Sequence, residues 1–156
     1  MTPGIKVLEK AGIRYRIHEY DHDPAGESYG LEAAEKLGVN PERVFKTLVV
    51  VVDARELVVI VLPVSHMLSM KLAARAAGGK KATMADRKEV QQRTGYVLGG
   101  VSPIGQKKCC KTIIDETARQ FSTIFVSAGR RGLEIELAPD QLTGLTGGKF
   151  AEVRQR

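Results

Sequence analysis

Two runs of aliphatic residues constrain this chain more than anything else in it. Leu48-Val49-Val50-Val51-Val52 and Leu57-Val58-Val59-Ile60-Val61-Leu62 are separated only by Asp53-Ala54-Arg55-Glu56. Neither run alternates with polar residues, so each predicts a strand covered on both faces rather than one with a solvated side. The charged segment between them reads as a hairpin turn, and the pair is expected to form the centre of a sheet. Lys46 stands at the mouth of the first run, in Phe45-Lys46-Thr47. Anchored on a rigid element, its ammonium either serves an anionic or polar ligand, enters a local salt bridge, or snorkels to solvent.

Around this hairpin the chain changes period repeatedly. Thr2-Pro3 predicts a capped helix carrying Ile5 and Leu8 and stopped by Gly12. Arg14 to Tyr20 then alternates, with Tyr15 and Ile17 on one face and Arg16, His18 and Tyr20 on the other, which leaves the Tyr20 hydroxyl able to reach a ligand. After a polar loop over 21–28, Leu31 to Leu37 has helical spacing up to Gly38, and Asn40-Pro41 caps a further turn into the Lys46 strand. Ser69 caps a helix through Leu72, Ala73 and Ala76, Lys80 to Met84 reads as a short strand, and Asp86 with Glu89 opens a helix that ends at Gly95. Thr112 to Ile114 and Thr123 to Ser127 read as strands about a short helix capped by Asp115. Leu133 to Leu137 alternates strictly, and Pro139 starts a last helix ending near Gly144. Strands and helices mix without a regular βα repeat, so the class is α+β. At 156 residues the chain is expected to be one domain, 1–156, with a core that needs no covalent staples.

Several kinds of chemistry find little support. Cys109 and Cys110 are adjacent, where a bridge is strained, so they are read as reduced thiols; Lys107-Lys108 before them could make one reactive, but no C-x-x-C spacing is present. His18 and His22 fall in or beside a turn rather than on a helix, and no metal site or cofactor is expected. No apolar run is long enough for a membrane span and no secretory leader is recognisable, so a cytoplasmic protein with no membrane partner is expected. With 24 Lys and Arg against 18 Asp and Glu, the net charge of +6 favours a polyanionic partner such as nucleic acid. The segment Gly95-Tyr96-Val97-Leu98-Gly99-Gly100-Val101-Ser102-Pro103-Ile104-Gly105 matches neither common phosphate-binding glycine motif. It is either a structural turn or a loop whose amides point outward as donors.

Phe45-Lys46-Thr47-Leu48, the glycine segment from Gly95 to Gly105 with Gln106-Lys107-Lys108 after it, and Ser127-Ala128-Gly129-Arg130-Arg131-Gly132-Leu133 together resemble the YbaK/EbsC family. So does the start, from Thr2-Pro3 through Tyr20-Asp21-His22-Asp23-Pro24. The resemblance implies a twisted, mixed, partly barrel-like β-sheet surrounded by short helices. It also implies an aminoacyl-tRNA editing domain acting in trans, a deacylase of mischarged tRNA. Cys-tRNA(Pro) is the foremost substrate implied, and prolyl-tRNA synthetase a transient partner. Lys46 falls on the family's essential lysine, and the substrate cleft would use Tyr20, Tyr29, Phe45, Thr47, Gly99, Gly100, Ser127 and Gly129. The basic pairs Lys107-Lys108 and Arg130-Arg131 would meet the tRNA. In this family the substrate's own thiol attacks its ester, which suits a chain without a recognisable Ser-His-Asp or Cys-His arrangement. An alanyl-tRNA(Pro) deacylase and a non-catalytic tRNA-binding module are the competing expectations.

Overall fold

The computed structural model describes residues 1–24, 29–107 and 110–156. The expected hairpin is its centre. β2 (Phe45–Val52) and β3 (Glu56–Pro63) pair antiparallel from Phe45 opposite Pro63 to Val52 opposite Glu56. Asp53 and Ala54, both at positive φ, turn the chain between them. All six side chains from Leu57 to Leu62 are buried. At about 1.5–3 kcal/mol for each large aliphatic removed from water, this strand is a firm mount for whatever pairs with it.

β3 lies in the middle of a five-stranded sheet ordered β4-β2-β3-β5-β8. β5 (Lys111–Asp115) and β8 (Lys149–Ala151) add parallel to it, while β4 (Ala82–Met84) adds antiparallel to β2. A second, three-stranded antiparallel sheet is ordered β1-β7-β6, from β1 (Tyr15–Glu19), β7 (Leu133–Leu137) and β6 (Ile124–Ser127). The bridge between Val44 and Phe125 joins the two sheets. No closed barrel forms among the described residues; the architecture is two sheets rather than the partly barrel-like single sheet expected.

Three apolar clusters set the layers. Val59, Val61, Leu133, Ile135 and Leu137 meet between the sheets with Leu8, Val90 and Leu142 from α1 (Pro3–Ala11), α4 (Arg87–Thr94) and α5 (Pro139–Thr146). The opposite face of the large sheet, Val58, Ile60 and Leu62, packs on Ala73 and Ala74 of α3 (Met70–Ala76). The outer side of the small sheet meets α2 (Tyr29–Leu37), where Phe125 packs with Ala33, Ala34, Val44 and Val64.

The helix starts follow the capping chemistry read from the sequence. Thr2, Ser69 and Asp86 each accept a hydrogen bond from a first-turn amide of the helix they open. One end differs: α5 runs through Gly144 to Thr146 and stops at Gly147, whose φ of 69° supplies the left-handed cap.

Candidate functional site

β4 is only three residues long and pairs with Val50–Val52, three of the eight residues of β2, and the Ala85 amide just after it donates to the Val49 carbonyl. The rest of β2, from Phe45 to Val49, borders a cleft of about 410 Å³. Val44 accepts from the amide of Val64, which continues β3, so by the two-residue alternation of a strand Phe45 and Thr47 turn their main-chain groups the other way, toward the open edge. The cleft's far walls come from the glycine segment, from the basic turn after β6, and from β7. Leu48, Val49, Val90 and Val101 make an apolar lining, and Met84 and Leu98, each about half exposed at 51% and 49%, form its rim.

Most of the residues singled out in the sequence converge here. Tyr20, Phe45, Lys46, Thr47, Gly99, Ser127, Arg130 and Arg131 all line the cleft. Lys46 has no hydrogen bond or ion pair among the described residues, and desolvation by burial lowers its pKa. It is therefore half-buried and outside any local salt bridge among the described residues. The Tyr20 hydroxyl is pushed up chiefly by burial, against the Gly132 amide, with the carboxylates of Glu134 and Glu32 adding to the rise. Thr47 Oγ1 is buried without a hydrogen-bond partner beside Lys46. The Ser127 hydroxyl accepts from the Gly129 amide at 3.1 Å, which closes the turn that carries Arg130 and Arg131.

The remaining residues act at a distance from the cavity or fall outside the description. Gly100 does not line the cleft, and its amide donates to the Val97 carbonyl at 3.0 Å. A Cβ at Gly100 would stand 3.2 Å from Arg130 Cα, so its role is close approach of the glycine segment to the basic turn. Gly129 likewise packs outside the lining, against the Tyr96 ring. Tyr96 donates to the Ile104 carbonyl at 2.6 Å, and the Ser102 hydroxyl accepts from the Ile104 amide, so the segment from Tyr96 to Ile104 is internally braced. Lys107 is exposed and its amide donates to Thr94, away from the cleft lining. Tyr29 opens α2, but its side chain, together with Lys108 and Cys109, lies outside the described residues.

One charged lining residue was missed. Strict alternation from Leu133 to Leu137 predicts that Glu134 and Glu136 share a polar face, and they do, but α2 and Val44 cover part of that face. Glu136 finds partners there: His18 Nε2 at 2.9 Å, Thr123 Oγ1 at 2.6 Å and Arg43 at 3.5 Å. Desolvation opposes its ionisation, yet the Thr123 and His18 hydrogen bonds and the nearby cations hold its carboxyl below the ordinary value. Glu134, 6% exposed, has none, and desolvation pushes its carboxyl up to about 8. A period-two pattern assigns residues to faces but does not say what covers each face, and that is why the sequence offered no signal here.

The model of the aminoacyl-tRNA editing domain family matches residues 24–145. The chain belongs to this family. The editing domain spans most of the chain and contains the whole cleft apart from Tyr20. The chain is 43% identical over 156 residues to a protein of Enterococcus faecalis named "Putative Cys-tRNA(Pro)/Cys-tRNA(Cys) deacylase EbsC", covering 97% of this chain and 92% of that one. A second relative, YwhH of Bacillus subtilis, is 32% identical over 112 residues, 72% of this chain and 71% of its own. The fold matches a solved structure described as "a putative trans-editing enzyme for prolyl tRNA synthetase" with a TM-score of 0.86 at 24% identity, over 99% of this chain and 96% of that one. The editing domain is thus an aminoacyl-tRNA deacylase, acting on the ester that joins an amino acid to tRNA. Among the described residues no helix is long and apolar enough to cross a membrane.

Proposed function

We propose that this editing domain removes cysteine from Cys-tRNA(Pro) in trans, using the substrate's own thiol as nucleophile. The observation that carries the reading is the make-up of the cleft. It offers a desolvated lysine, an open strand edge and a glycine segment, and neither histidine nor cysteine is among its described lining residues. An esterase that activates its own nucleophile needs a nucleophile and base in contact, and the one lining serine, Ser127, accepts from the Gly129 amide and donates to no base among the described residues. The substrate thiol dispenses with both. Its sulfur attacks the ester carbonyl, the bond to the ribose 3′-oxygen breaks, the thiol proton passes to that oxygen, and a thiolactone leaves. Intramolecular attack benefits from a large effective molarity, so the protein has only to position the ester and stabilise the charge that develops on its oxygen. Gly99 on the glycine segment and the open edge of β2 are the main-chain groups at hand, while Lys46 anchors the terminal nucleotide or its phosphate.

The need for the reaction is physical. Cysteine and proline are close in size, and an apolar pocket separates such small groups by only about 1–3 kcal/mol, so a second hydrolytic sieve raises fidelity. The name of the Enterococcus relative supports this substrate, and that of the structural neighbour supports action alongside prolyl-tRNA synthetase, in the cytoplasm where tRNA is charged. Arg130 and Arg131 on the cleft, with Lys107 nearby in sequence to the glycine segment, suit the tRNA backbone.

The test compares Cys-, Ser- and Ala-charged tRNA(Pro). The cysteine ester is expected to turn over about 100-fold faster than the serine ester, because a partly ionised thiol is the far better nucleophile. Lys46→Ala should abolish that turnover with an unchanged melting temperature, and Cys109→Ser with Cys110→Ser should leave it within about three-fold. Equal rates for the cysteine and serine esters, or release of free cysteine with no trappable thiolactone, would defeat the substrate-assisted mechanism.

A further inference from the structure

We propose that Glu134 recognises the free α-amino group of the aminoacyl ester, so that the cleft rejects esters whose nitrogen is acylated. The inference rests on the deacylase reading and extends it to the substrate's amino group.

Three observations carry it. Glu134 is buried, lines the cleft and has no hydrogen bond or ion pair among the described residues, whereas Glu136, two residues along the same strand face, has three partners. A largely buried carboxyl that opens on a cavity and has no protein partner is placed to take one that arrives with the ligand. Glu134 is also the one acidic residue among those lining the cleft, against three cations, Lys46, Arg130 and Arg131. An aminoacyl-adenosine end carries phosphate charge for the cations and a single cation of its own, the α-ammonium. That ammonium is the group a lone buried carboxyl can take.

The groups facing Glu134 do not already supply its partner. Ser127 and His18 stand opposite it in the strand register, from β6 and β1. The Ser127 hydroxyl accepts from the Gly129 amide and makes no hydrogen bond to Glu134, and His18 Nε2 is engaged by Glu136. Tyr20, beyond the end of β1, interacts with Glu134 electrostatically, and no ion pair within 4.0 Å links Glu134 to Lys46 of β2 or to Arg130 or Arg131 of the basic turn among the described residues. Burial raises the Glu134 carboxyl to about 8, so at pH 6.5 the empty cleft holds it protonated. An arriving ammonium favours the carboxylate, and the proton leaves to bulk water.

The test uses an uncleavable probe, 3′-amino-3′-deoxyadenosine 5′-monophosphate bearing S-methylcysteine in amide linkage, and the same compound N-acetylated. Calorimetry at pH 6.5 in two buffers of different ionisation enthalpy reads both affinity and protons exchanged. The parent should bind the free amine about 10- to 100-fold more tightly than the acetylated form, the range for a charged hydrogen bond, and release about one proton. Glu134→Gln, folded at this pH and melting above the parent, should bind the two probes within about three-fold and release no proton. The proposal is overturned if the parent binds both probes alike, fails to bind the amine, or binds it without releasing a proton. Retention of the preference by the variant overturns it equally. Deacylation of Cys-tRNA(Pro) is measured separately: an inactive parent that still discriminates the probes counts against the function, and an active parent that does not discriminate counts against Glu134.

Discussion

The buried carboxyl of Glu134 makes a prediction about stability that needs no substrate. Desolvation raises it from 4.5 to about 8 in the folded protein. Between those values the unfolded chain has lost the proton and the folded chain keeps it, so the folded state binds more protons and stability falls as pH rises. The slope is about 1.4 kcal/mol per pH unit, and the interval from 4.5 to about 8 integrates to roughly 4 kcal/mol lost by pH 8. That is a large share of the about 5–15 kcal/mol a domain commonly has. Glu134→Gln keeps the shape and is neutral at every pH, so it should match the parent at pH 5 and exceed it by several kcal/mol at pH 8. Urea unfolding at pH 5, 6, 7 and 8 reads this directly: with a denaturant slope of about 2 kcal/mol/M, the midpoints should part by about 2 M at the alkaline end. Parallel curves, with the difference between variant and parent changing by less than about 1 kcal/mol over that span, would refute the reasoning. A stabilising substitution that also weakens ligand recognition would mark Glu134 as a group the fold tolerates for function.

Two other substitutions test the frame of the site. Gly129→Ala requires a Cβ 2.5 Å from Tyr96 Cε1 at a φ of 115°, and should lower stability by about 3 kcal/mol in urea melts; a change below about 1 kcal/mol would mean the turn relaxes freely. Glu32 accepts from His22 at 2.9 Å, and that hydrogen bond, against desolvation, lowers its carboxyl to about 2. Its contribution is therefore present above about 4.5 and lost as pH falls toward 2, so Glu32→Gln should lower stability above pH 5 without changing the slope there, and flatten the acid limb of the profile read by urea unfolding.

Much of the fold was legible because it depends on short-range rules. The caps at Thr2, Ser69 and Asp86 and the two aliphatic runs each announce themselves within a few residues. The last helix was read as ending near Gly144, yet Gly144 stays helical and Gly147 makes the stop: glycine permits a left-handed residue without requiring one. The same limit applies to the glycine segment. The family resemblance implied that both Gly99 and Gly100 serve the cleft, but Gly100 spends its amide on Val97 and its missing side chain on Arg130, a neighbour distant in sequence. Glu134 was hidden for a related reason. Its face of β7 was legible, and the α2 cover over that face was not.

The shortness of β4 has a further consequence. The site exists where strand pairing stops, so its length is a discrete variable. Each further pair of residues zipped onto β2 would cover about 7 Å of edge and consume the main-chain groups of one more outward-facing residue, the next being Thr47, since the Val49 carbonyl already accepts from the Ala85 amide. A side-chain substitution can reshape the apolar lining without touching those groups, since they belong to the main chain. Selectivity for the amino acid can therefore drift by point mutation, whereas the site itself opens or closes by a change in strand length.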